Sequence, residues 1–298
     1  MSSAIPVVDM CSGTGELSVA LQATIQAATV LTSLSDADSR SRAYLRGRFP
    51  TAAIYTDCRE QNIPDAAVVA IGAPCQDLSY AGRRAGAAAG SGTRSALIHD
   101  CVAAAADAHA LLIAAENVPG GYGTYQAIAD HLNRIGYRAT VARGGAWEVG
   151  APHRRQRIML VATRRAWRLR RVSACRTRPP HGLIPTPTAA AHTGPGRRGR
   201  AGGMNLQTWA AVTDSPPAPL LRAWQRVTHT PAPPHRDDRG RLHPGFAEWM
   251  MDLPLPAESL SRTARIRLAG NAVTGRHAAL MLTRGLEQLN ATDQKELS

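Results

Sequence analysis

Lysine and phenylalanine are almost missing from this sequence. Of its 35 basic residues only Lys295 is a lysine, and phenylalanine occurs twice among 298 residues. The shortage of phenylalanine does not exclude a packed core, because 44% of the residues are hydrophobic and the length allows one large domain with a smaller one. Arginine in place of lysine suits phosphate groups and guanine edges, although a GC-rich coding bias would produce the same preference.

Paired cysteines and long apolar runs are missing too. The five cysteines form no CxxC pair and no regular framework, so their spacing predicts no metal site and no disulfide scaffold. No apolar run approaches the length of a membrane span, and the N-terminus has no basic region followed by an apolar one. We therefore expect a cytoplasmic protein with reduced thiols, no metal and no membrane contact.

Positive charge is present in excess and is unevenly distributed. The net charge of +13 predicts a polyanionic partner. Residues 1–163 contain 14 basic and 13 acidic side chains, residues 164–242 contain 15 and three, and residues 243–298 contain six of each. Almost all of the excess therefore falls in the middle segment.

Short apolar runs alternate with helical patterns over the first half of the chain. This alternation predicts an α/β fold, with a mostly parallel, doubly wound sheet between helices. The predicted strands are residues 5–10, 29–34, 53–55, 67–71, 110–115, 138–142 and 157–162. The predicted helices between them are residues 16–28, 39–48, 95–108 and 125–135.

The composition changes after residue 163, which predicts three parts for the chain. An α/β domain over 1–163 is followed by 164–242, which carries 11 of the 20 prolines and seven glycines. Disorder is one interpretation of this middle segment, but its tryptophans favour a small irregular domain with a mobile basic loop at 194–203. Residues 243–298 are expected to return to the first domain. The runs 204–212 and 219–227 also suggest packed structure, and helices are expected again at 246–251, 261–268 and 274–288.

A glycine-containing turn, DMCSGTGEL at residues 9–17, follows the first predicted strand. Its two glycines allow the backbone to approach a ligand, and the next helix offers unpaired N–H groups. The turn is not a P-loop, because no Gly-Lys-Ser/Thr follows, and it lacks a full GxGxxG. Asp36 and Asp57 each follow a later strand, where a carboxylate either binds ribose hydroxyls or caps a helix.

Cys75 lies in the run VAIGAPCQ at residues 69–76, directly after a predicted strand. Strand ends in open α/β sheets carry reactive groups, but cysteine is often a small core residue, so both interpretations stay open. The glycine-rich segment 81–92, with Arg83 and Arg84 and the nearby Arg94, is either a lid over a substrate or a disordered connection.

Further polar groups occur at later strand ends. Glu116 and Asn117 follow an apolar run, where the carboxylate is either a general acid or a helix cap. Arg155 and Arg157 enter another strand, and strand alternation is expected to point both side chains to one face, toward a ligand or a carboxylate. The sequence GNAV at 270–273 forms a turn before the last helix, and a turn without further role is the simpler interpretation.

Taken in order, DxCSGxG, GAPCQ, ENV, HRRQR and GNAV resemble the motifs of DNA (cytosine-5) methyltransferases. Residues 243–254 also resemble the penultimate motif of phage and actinobacterial members. The resemblance covers essentially the full length outside 164–242, where that family has its variable target recognition domain. It implies a Rossmann-like class I methyltransferase fold that uses S-adenosyl-L-methionine.

The resemblance implies methyl transfer to C5 of a cytosine that is flipped out of double-stranded DNA. Cys75 would add to C6, Glu116 would bind N3 and the exocyclic amine, and Arg157 would bind O2. Arg155 would support the loop or bind a backbone phosphate, and Asn117 completes the implied catalytic set. The implied cofactor contacts are Asp9, Cys11, Ser12, Gly13, Thr14, Gly15, Glu16, Leu17, Asp36, Asp57, Cys58, Pro74, Leu97, Asn271 and Ala272. The implied DNA contacts are Gln76, Ser79, Arg83, Arg84, Arg94, Arg197, Arg198 and Arg200.

Four positions depart from the pattern of the family. Cys11 and Ala73 stand where phenylalanine is common, His153 replaces a usual glutamine, and no Gly-Trp pair follows Pro254. None of these changes removes a reacting group, although Cys11 cannot stack on the cofactor. The expected protein is the modification enzyme of a restriction system, with a cognate restriction endonuclease as partner, or an orphan phage-type enzyme. An RNA cytosine methyltransferase and a catalytically weak DNA-binding member of the family are the alternatives.

Overall fold

A computed structural model describes residues 4–75, 94–193, 204–254 and 259–296. Within these ranges seven strands form one sheet. The strands are β1 (Ile5–Met10), β2 (Thr29–Ser35), β3 (Ala53–Tyr55), β4 (Val68–Ile71), β5 (Leu112–Asn117), β6 (Arg138–Gly145) and β7 (Gln156–Thr163). Their order in the sheet is β3-β2-β1-β4-β5-β7-β6.

The central strands run parallel and β7 runs against them. β1 pairs in parallel with β2 and with β4, β2 pairs with β3, and β4 pairs with β5 in the same sense. β7 is antiparallel to β5. All residues of β4 and β5 are buried, as expected of strands covered on both faces. The predicted mostly parallel sheet is confirmed, and every predicted strand is present within a few residues of its expected bounds.

Nine helices occur in the described ranges, and those in the first half of the chain alternate with the strands as predicted. The helices are α1 (Glu16–Thr24), α2 (Ser39–Arg48), α3 (Leu97–Asp107), α4 (Tyr122–Arg134), α5 (Leu206–Val212), α6 (Ala218–Thr228), α7 (Pro244–Met250), α8 (Arg262–Asn271) and α9 (Gly275–Glu296). Helical spacing buries Ile98, Cys101, Val102 and Ala105 on one face of α3. None of these helices is both long and apolar enough to cross a membrane.

The predicted helix over residues 16–28 is wrong at its C-terminal end, since α1 stops at Thr24. Ile25 has an extended backbone and forms an antiparallel bridge with Leu169. The Gln26 N–H donates to the Arg168 carbonyl at 2.8 Å. Pairing with a distant segment therefore overrides the local helical preference, and single-sequence periodicity does not reveal such pairing.

Two compact units divide the chain. The first comprises residues 1–144, 156–172 and 278–298, and it contains the sheet apart from the last residue of β6. The second comprises residues 145–155 and 173–277. These bounds differ from the three expected parts 1–163, 164–242 and 243–298, whose functional assignment stays a prediction. The mobile loop expected at 194–203 lies outside the described residues.

Aromatic side chains build much of the core of the second unit. The rings of Trp209 and Phe246 stack with centroids 6.1 Å apart, and those of Phe246 and Trp249 with centroids 5.7 Å apart. Trp224 is fully buried, and its indole N–H donates to the Trp249 carbonyl at 3.0 Å. The tryptophans that favoured packed structure over disorder thus lie in or against a core.

Part of the positive charge assigned to the middle segment belongs to the first unit. Residues 164–171 (RRAWRLRR) contain five of the 15 arginines of 164–242, and all five are exposed. They follow β7, whose last residue Thr163 pairs with Leu112 at the start of β5. Because the parallel strands start at that edge of the sheet, these arginines lie opposite the carboxyl ends of the strands. The boundary of the first unit therefore lies after residue 172 rather than at residue 163, and DNA recognition by 164–242 stays a prediction.

Candidate active site

The carboxyl ends of β1, β2, β4 and β5 lie at one edge of the sheet, because these strands are parallel. This edge carries the glycine turn after β1, Asp36 after β2, Gly72–Cys75 after β4, and Glu116 near the end of β5. Reactive and ligand-binding groups of open α/β sheets occur at such an edge. The fold thus brings the main candidate residues of the first unit to one edge of the sheet.

The glycine turn uses backbone conformations that favour glycine. Gly13 and Gly15 have φ of +57° and +75°, and Cys11 also has a positive φ of 55°. A Cβ at Gly15 would lie 2.5 Å from the Phe49 ring, whereas a Cβ at Gly13 would meet no described atom within 4 Å. Gly15 is therefore required by packing as well as by φ, while Gly13 faces open space where a ligand can approach the backbone.

Hydrogen bonds tie this turn to the end of β2. The Ser12 hydroxyl donates to the Asp9 carbonyl at 2.8 Å and accepts from the Ser35 N–H at 3.1 Å. The Gly13 N–H donates to an Asp36 carboxylate oxygen at 2.9 Å, and the Asp38 N–H donates to the other at 2.8 Å. Burial raises the pKa of Asp36 above its usual value of 3.8. Asp36 is thereby fixed beside the turn and retains lone pairs for hydroxyl donors.

Other residues implied for cofactor contact have structural partners. Glu16 forms an ion pair with Arg48 of α2, and Thr14 and Leu17 are buried. Asp57 caps the short turn Cys58–Glu60 by accepting from the Arg59 N–H at 3.0 Å. These contacts agree with the helix-cap interpretation of Asp57. A role of Asp57 in cofactor binding stays a prediction.

Asp9 is fully buried at the end of β1. Neither of its carboxylate oxygens has a hydrogen-bond partner among the described residues. The nearby Ser12 and Ser18 hydroxyls donate their protons to main-chain carbonyls instead. Burial raises the pKa of Asp9 to about 7. The nearby Ser18 and Ser12 oppose this rise, and a buried carboxyl group beside an open glycine turn suits a ligand with donor or cationic groups.

The nucleophile candidate is held in a tight turn after β4. The Gly72 N–H donates to the Met10 carbonyl at 2.9 Å, and a Cβ at Gly72 would lie 2.6 Å from the Cys11 carbonyl oxygen. Glycine is therefore needed where the two strand ends approach each other. Ala73 is buried, and Pro74 and Cys75 are half-buried, so the Cys75 side chain is neither fully buried nor fully exposed.

Glu116 and Arg157 form an ion pair across β5 and β7. The Arg157 Nε lies 2.7 Å from a Glu116 carboxylate oxygen, with 16% and 11% of the two side chains exposed. Strand register explains the contact, since Glu116 is opposite Met159 and Asn117 is opposite Ile158. The short turn Pro119–Gly121 follows β5, and its N-cap residue is Val118. Glu116 therefore does not cap this turn.

Asn117 connects three elements of the first unit. Its side-chain amide donates to the Ala73 carbonyl at 3.3 Å and to the Tyr125 hydroxyl at 2.9 Å, and its oxygen accepts from the Val118 N–H at 2.8 Å. Tyr125 is fully buried in α4, and burial raises the pKa of its hydroxyl. Asn117 thus holds the turn that carries Cys75 against the end of β5.

Arg155 lies outside the strand that contains Arg157, so the strand alternation expected for this pair does not apply to Arg155. β7 begins at Gln156, and Arg155 precedes it with φ of 26°. Strand alternation therefore does not extend to Arg155. Its buried guanidinium donates to the carbonyls of Pro187, Gly270 and Ala272 within the second unit. The contacts of the Arg155 guanidinium among the described residues thus include three main-chain carbonyls.

The remaining predicted contacts divide between the units and the undescribed ranges. Leu97 begins α3 in the first unit, whereas Asn271 ends α8 and Ala272 follows it in the second unit. Arg94 opens the short turn Arg94–Ala96. Residues 81–92 lie outside the described residues, as do the implied DNA contacts Gln76, Ser79, Arg83, Arg84, Arg197, Arg198 and Arg200.

Three cysteines that sequence spacing did not connect lie together in the first unit. The sulfur atoms of Cys11, Cys58 and Cys101 are all within 4.8 Å of one another. Cys11 and Cys58 are 47 positions apart in the chain, and Cys58 and Cys101 are 43 positions apart. No local sequence motif therefore predicts the cluster. The only signal in the sequence was that Cys11 and Cys58 both follow predicted strands, whose ends lie at one edge of a parallel sheet.

The sequence profile described as C-5 cytosine-specific DNA methylase matches residues 5–189. Type II methyltransferase M.BsuFI of Bacillus subtilis is 32% identical over 111 residues, which cover 36% of this chain and 26% of that protein. The match thus spans about a quarter of the length of this curated relative.

Solved structures of low sequence identity share the fold. A DNMT2 variant of Spodoptera frugiperda aligns with a TM-score of 0.56 at 15% identity, over 94% of this chain and 98% of that one. Entamoeba histolytica methyltransferase EhMeth gives 0.56 at 12% identity, over 98% and 99%. A protein described as a DNA modification methyltransferase of an Escherichia coli prophage gives 0.54 at 15%, over 97% and 100%. With more than half of its residues matched by the profile, this chain belongs to the C-5 cytosine-specific DNA methylase family.

Proposed function

We propose that the protein methylates C5 of cytosine in double-stranded DNA, with S-adenosyl-L-methionine as methyl donor. The observation that carries the proposal is the Glu116–Arg157 ion pair at the sheet edge where Asn117 binds the turn that presents Cys75. Family membership supports cytosine methylation. The finer assignments of donor, substrate and mechanism rest on the chemistry of these side chains.

Cys75 is the proposed nucleophile. Cytosine C5 is a poor nucleophile towards a methyl donor, because attack from C5 disrupts the conjugation of the ring. Addition of the Cys75 thiolate to C6 turns the ring into an enamine with an activated C5. Loss of the C5 proton after methylation and elimination of Cys75 restore the ring and the free enzyme. Since C6 is inaccessible in a stacked duplex, the base has to be flipped out, at a cost of a few kcal/mol.

Glu116 and Arg157 act on the opposite side of the pyrimidine ring. Glu116 passes a proton to N3 as Cys75 adds, and its other oxygen accepts from the exocyclic amine. Arg157 binds the O2 carbonyl and withdraws electron density from the ring. The ion pair keeps both side chains in place before the base enters, which reduces the reorganisation needed at the moment of reaction.

S-adenosyl-L-methionine supplies an electrophilic methyl group when it is bound. The residues of the glycine turn fit such a group, because Gly13 faces open space and the carboxyl group of Asp9 has no partner among the described residues. Asp36 would accept from ribose hydroxyls, and Asp9 would complement the cationic end of the ligand. Cys11 offers no ring for stacking, so these polar contacts carry more of the affinity.

The test is methylation of DNA in cells and by purified protein. Bisulfite sequencing of host DNA after expression is expected to show new 5-methylcytosine in a defined sequence context. Cys75→Ser is expected to abolish the signal, whereas Cys175→Ser, which removes an exposed thiol, should keep it. Absence of 5-methylcytosine with the unaltered protein would exclude DNA methylation, and methylation by Cys75→Ser would exclude the adduct. DNA with 5-fluorocytosine should trap a Cys75-dependent crosslink, because the final proton removal is blocked.

The same assays separate the alternatives. Methylated tRNA without methylated DNA would favour an RNA cytosine methyltransferase, and DNA binding without methylation a catalytically weak member. A methylated genome cleaved by no accompanying endonuclease would favour an orphan enzyme over one half of a restriction system.

A further inference from the structure

Three thiols from distant parts of the first unit meet beside the glycine turn. Cys11 follows β1, Cys58 opens the short turn after β3, and Cys101 lies in α3. The Cys58 and Cys101 sulfurs are 3.7 Å apart, and all three sulfurs lie within 4.8 Å of one another. The proposed methyl transfer uses none of these thiols as a reacting group, so the cluster needs its own explanation.

The geometry matches a set of ligands for one cation. Thiolate sulfur lies about 2.3 Å from zinc, which places two sulfurs of a tetrahedral site about 3.8 Å apart. The Cys58 and Cys101 sulfurs already have this separation. Cys11 reaches the same distance by a shift of at most about 1 Å. Because Cys11 is half-buried while the other two are buried, it also lies where an ion can enter.

The chemistry of the cluster favours soft metals. Thiolates select Cu⁺ and Zn²⁺ over harder cations. The simpler interpretation is three small side chains in the core, since Cys58 and Cys101 belong to the main apolar cluster. Convergence of three sulfurs from three segments distinguishes the cluster from one buried cysteine.

We propose that Cys11, Cys58 and Cys101 bind one thiophilic d10 cation, either Cu⁺ or Zn²⁺. Each thiol that binds the cation releases its proton to the solvent. Cu⁺ is satisfied by three sulfurs, whereas Zn²⁺ takes a fourth ligand, for which a water molecule suffices. Because Cys11 belongs to the glycine turn and Cys101 to α3, a bound cation would fasten this turn to α3.

The experiment titrates the whole chain with metal under anaerobic conditions, in a Cys75→Ser background that removes the proposed nucleophile from the titration. One arm uses Cu⁺ in competition with a chromophoric Cu⁺ chelator, and the other uses Zn²⁺ with a zinc indicator. We expect one equivalent to bind in at least one arm and to raise the melting temperature. The arm that gives the tighter binding identifies the cation.

Variants assign the ligands. Cys58→Ser and Cys101→Ser are expected to lower metal affinity at least tenfold, and Cys175→Ser, an exposed thiol in the second unit, should leave it unchanged. Cys11→Ser is the substitute if either buried variant loses its circular dichroism signal. The proposal fails if no metal binds in either arm, if affinity survives all three substitutions, or if Cys175→Ser removes it. Metal binding is measured without DNA or methyl donor, so its failure is independent of the proposed methylation.

Discussion

At the scale of single residues, the two arginines Arg155 and Arg157 show how neighbours in sequence acquire different tasks. Arg157 pairs with Glu116 at 2.7 Å, next to the proposed chemistry. Arg155 is buried, and its guanidinium donates to three main-chain carbonyls of the second unit. Among the described hydrogen bonds, no other charged side chain donates to these three carbonyls. The first residue is therefore expected to serve the reaction and the second to serve folding.

Lysine substitutions separate these tasks. Arg157→Lys is expected to lower kcat for methyl transfer at least a hundredfold with little change in melting temperature, because one ammonium group cannot hold Glu116 and the cytosine O2 together. Arg155→Lys is expected to lower the free energy of unfolding by about 2–4 kcal/mol, because buried carbonyls lose charged donors. Kinetics with a tritiated methyl donor and calorimetry measure the two effects. Equal loss of activity and of stability in both variants would contradict the division.

Features that are encoded locally can be predicted from this sequence, whereas features that depend on contacts between distant residues cannot. The run ending in Cys75 and the pair Glu116 and Asn117 were recognisable from residue type and strand-end position. The partners of Arg155 were not, because its positive φ and its carbonyl acceptors depend on the packing of segments more than thirty residues away. The meeting of Cys11 with Cys101 likewise depends on how β1 and α3 pack.

At the scale of elements, the end of β5 organises the proposed site through Asn117. Its amide donates to the Ala73 carbonyl in the turn after β4 and to the Tyr125 hydroxyl in α4. Strands buried on both faces, such as β4 and β5, were predictable because their apolar runs are continuous. The end of α1 was not, because pairing of Ile25 with Leu169 replaces local helical hydrogen bonds.

Asn117→Ala tests whether this contact positions the nucleophile. We expect kcat to fall at least tenfold while KM for DNA changes little, because the Ala73 carbonyl loses its donor and the Cys75 turn gains freedom. Tyr125→Phe is the comparison variant, since it removes the hydroxyl that accepts from Asn117 and donates to the Glu116 carbonyl but leaves the bond of Asn117 to Ala73. A smaller loss of kcat is expected in Tyr125→Phe, and the positioning role would be refuted if Asn117→Ala changed only thermal stability.

At the scale of the whole molecule, the net charge and the positions of the charges are expected to contribute separately to DNA binding. The chain carries +13, but the five arginines of 164–171 lie at the edge of the sheet where the parallel strands begin. The proposed chemistry lies at the opposite edge. Long-range attraction to DNA depends on all of these charges, whereas contacts to phosphates near the flipped base depend only on those that reach it.

Salt titration of DNA binding distinguishes the two groups of arginines. Conversion of Arg197, Arg198 and Arg200 to Gln is expected to flatten the slope of log affinity against log salt by about 2–3, since each phosphate contact contributes about 0.9. The matched control converts Arg164, Arg168 and Arg170 to Gln, which removes the same charge from the exposed segment after β7. Its slope is expected to stay within about 0.5 of the unaltered protein. Equal flattening in both variants would show that the duplex extends to the opposite edge of the sheet, and flattening in the control alone would transfer the DNA contact to 164–171.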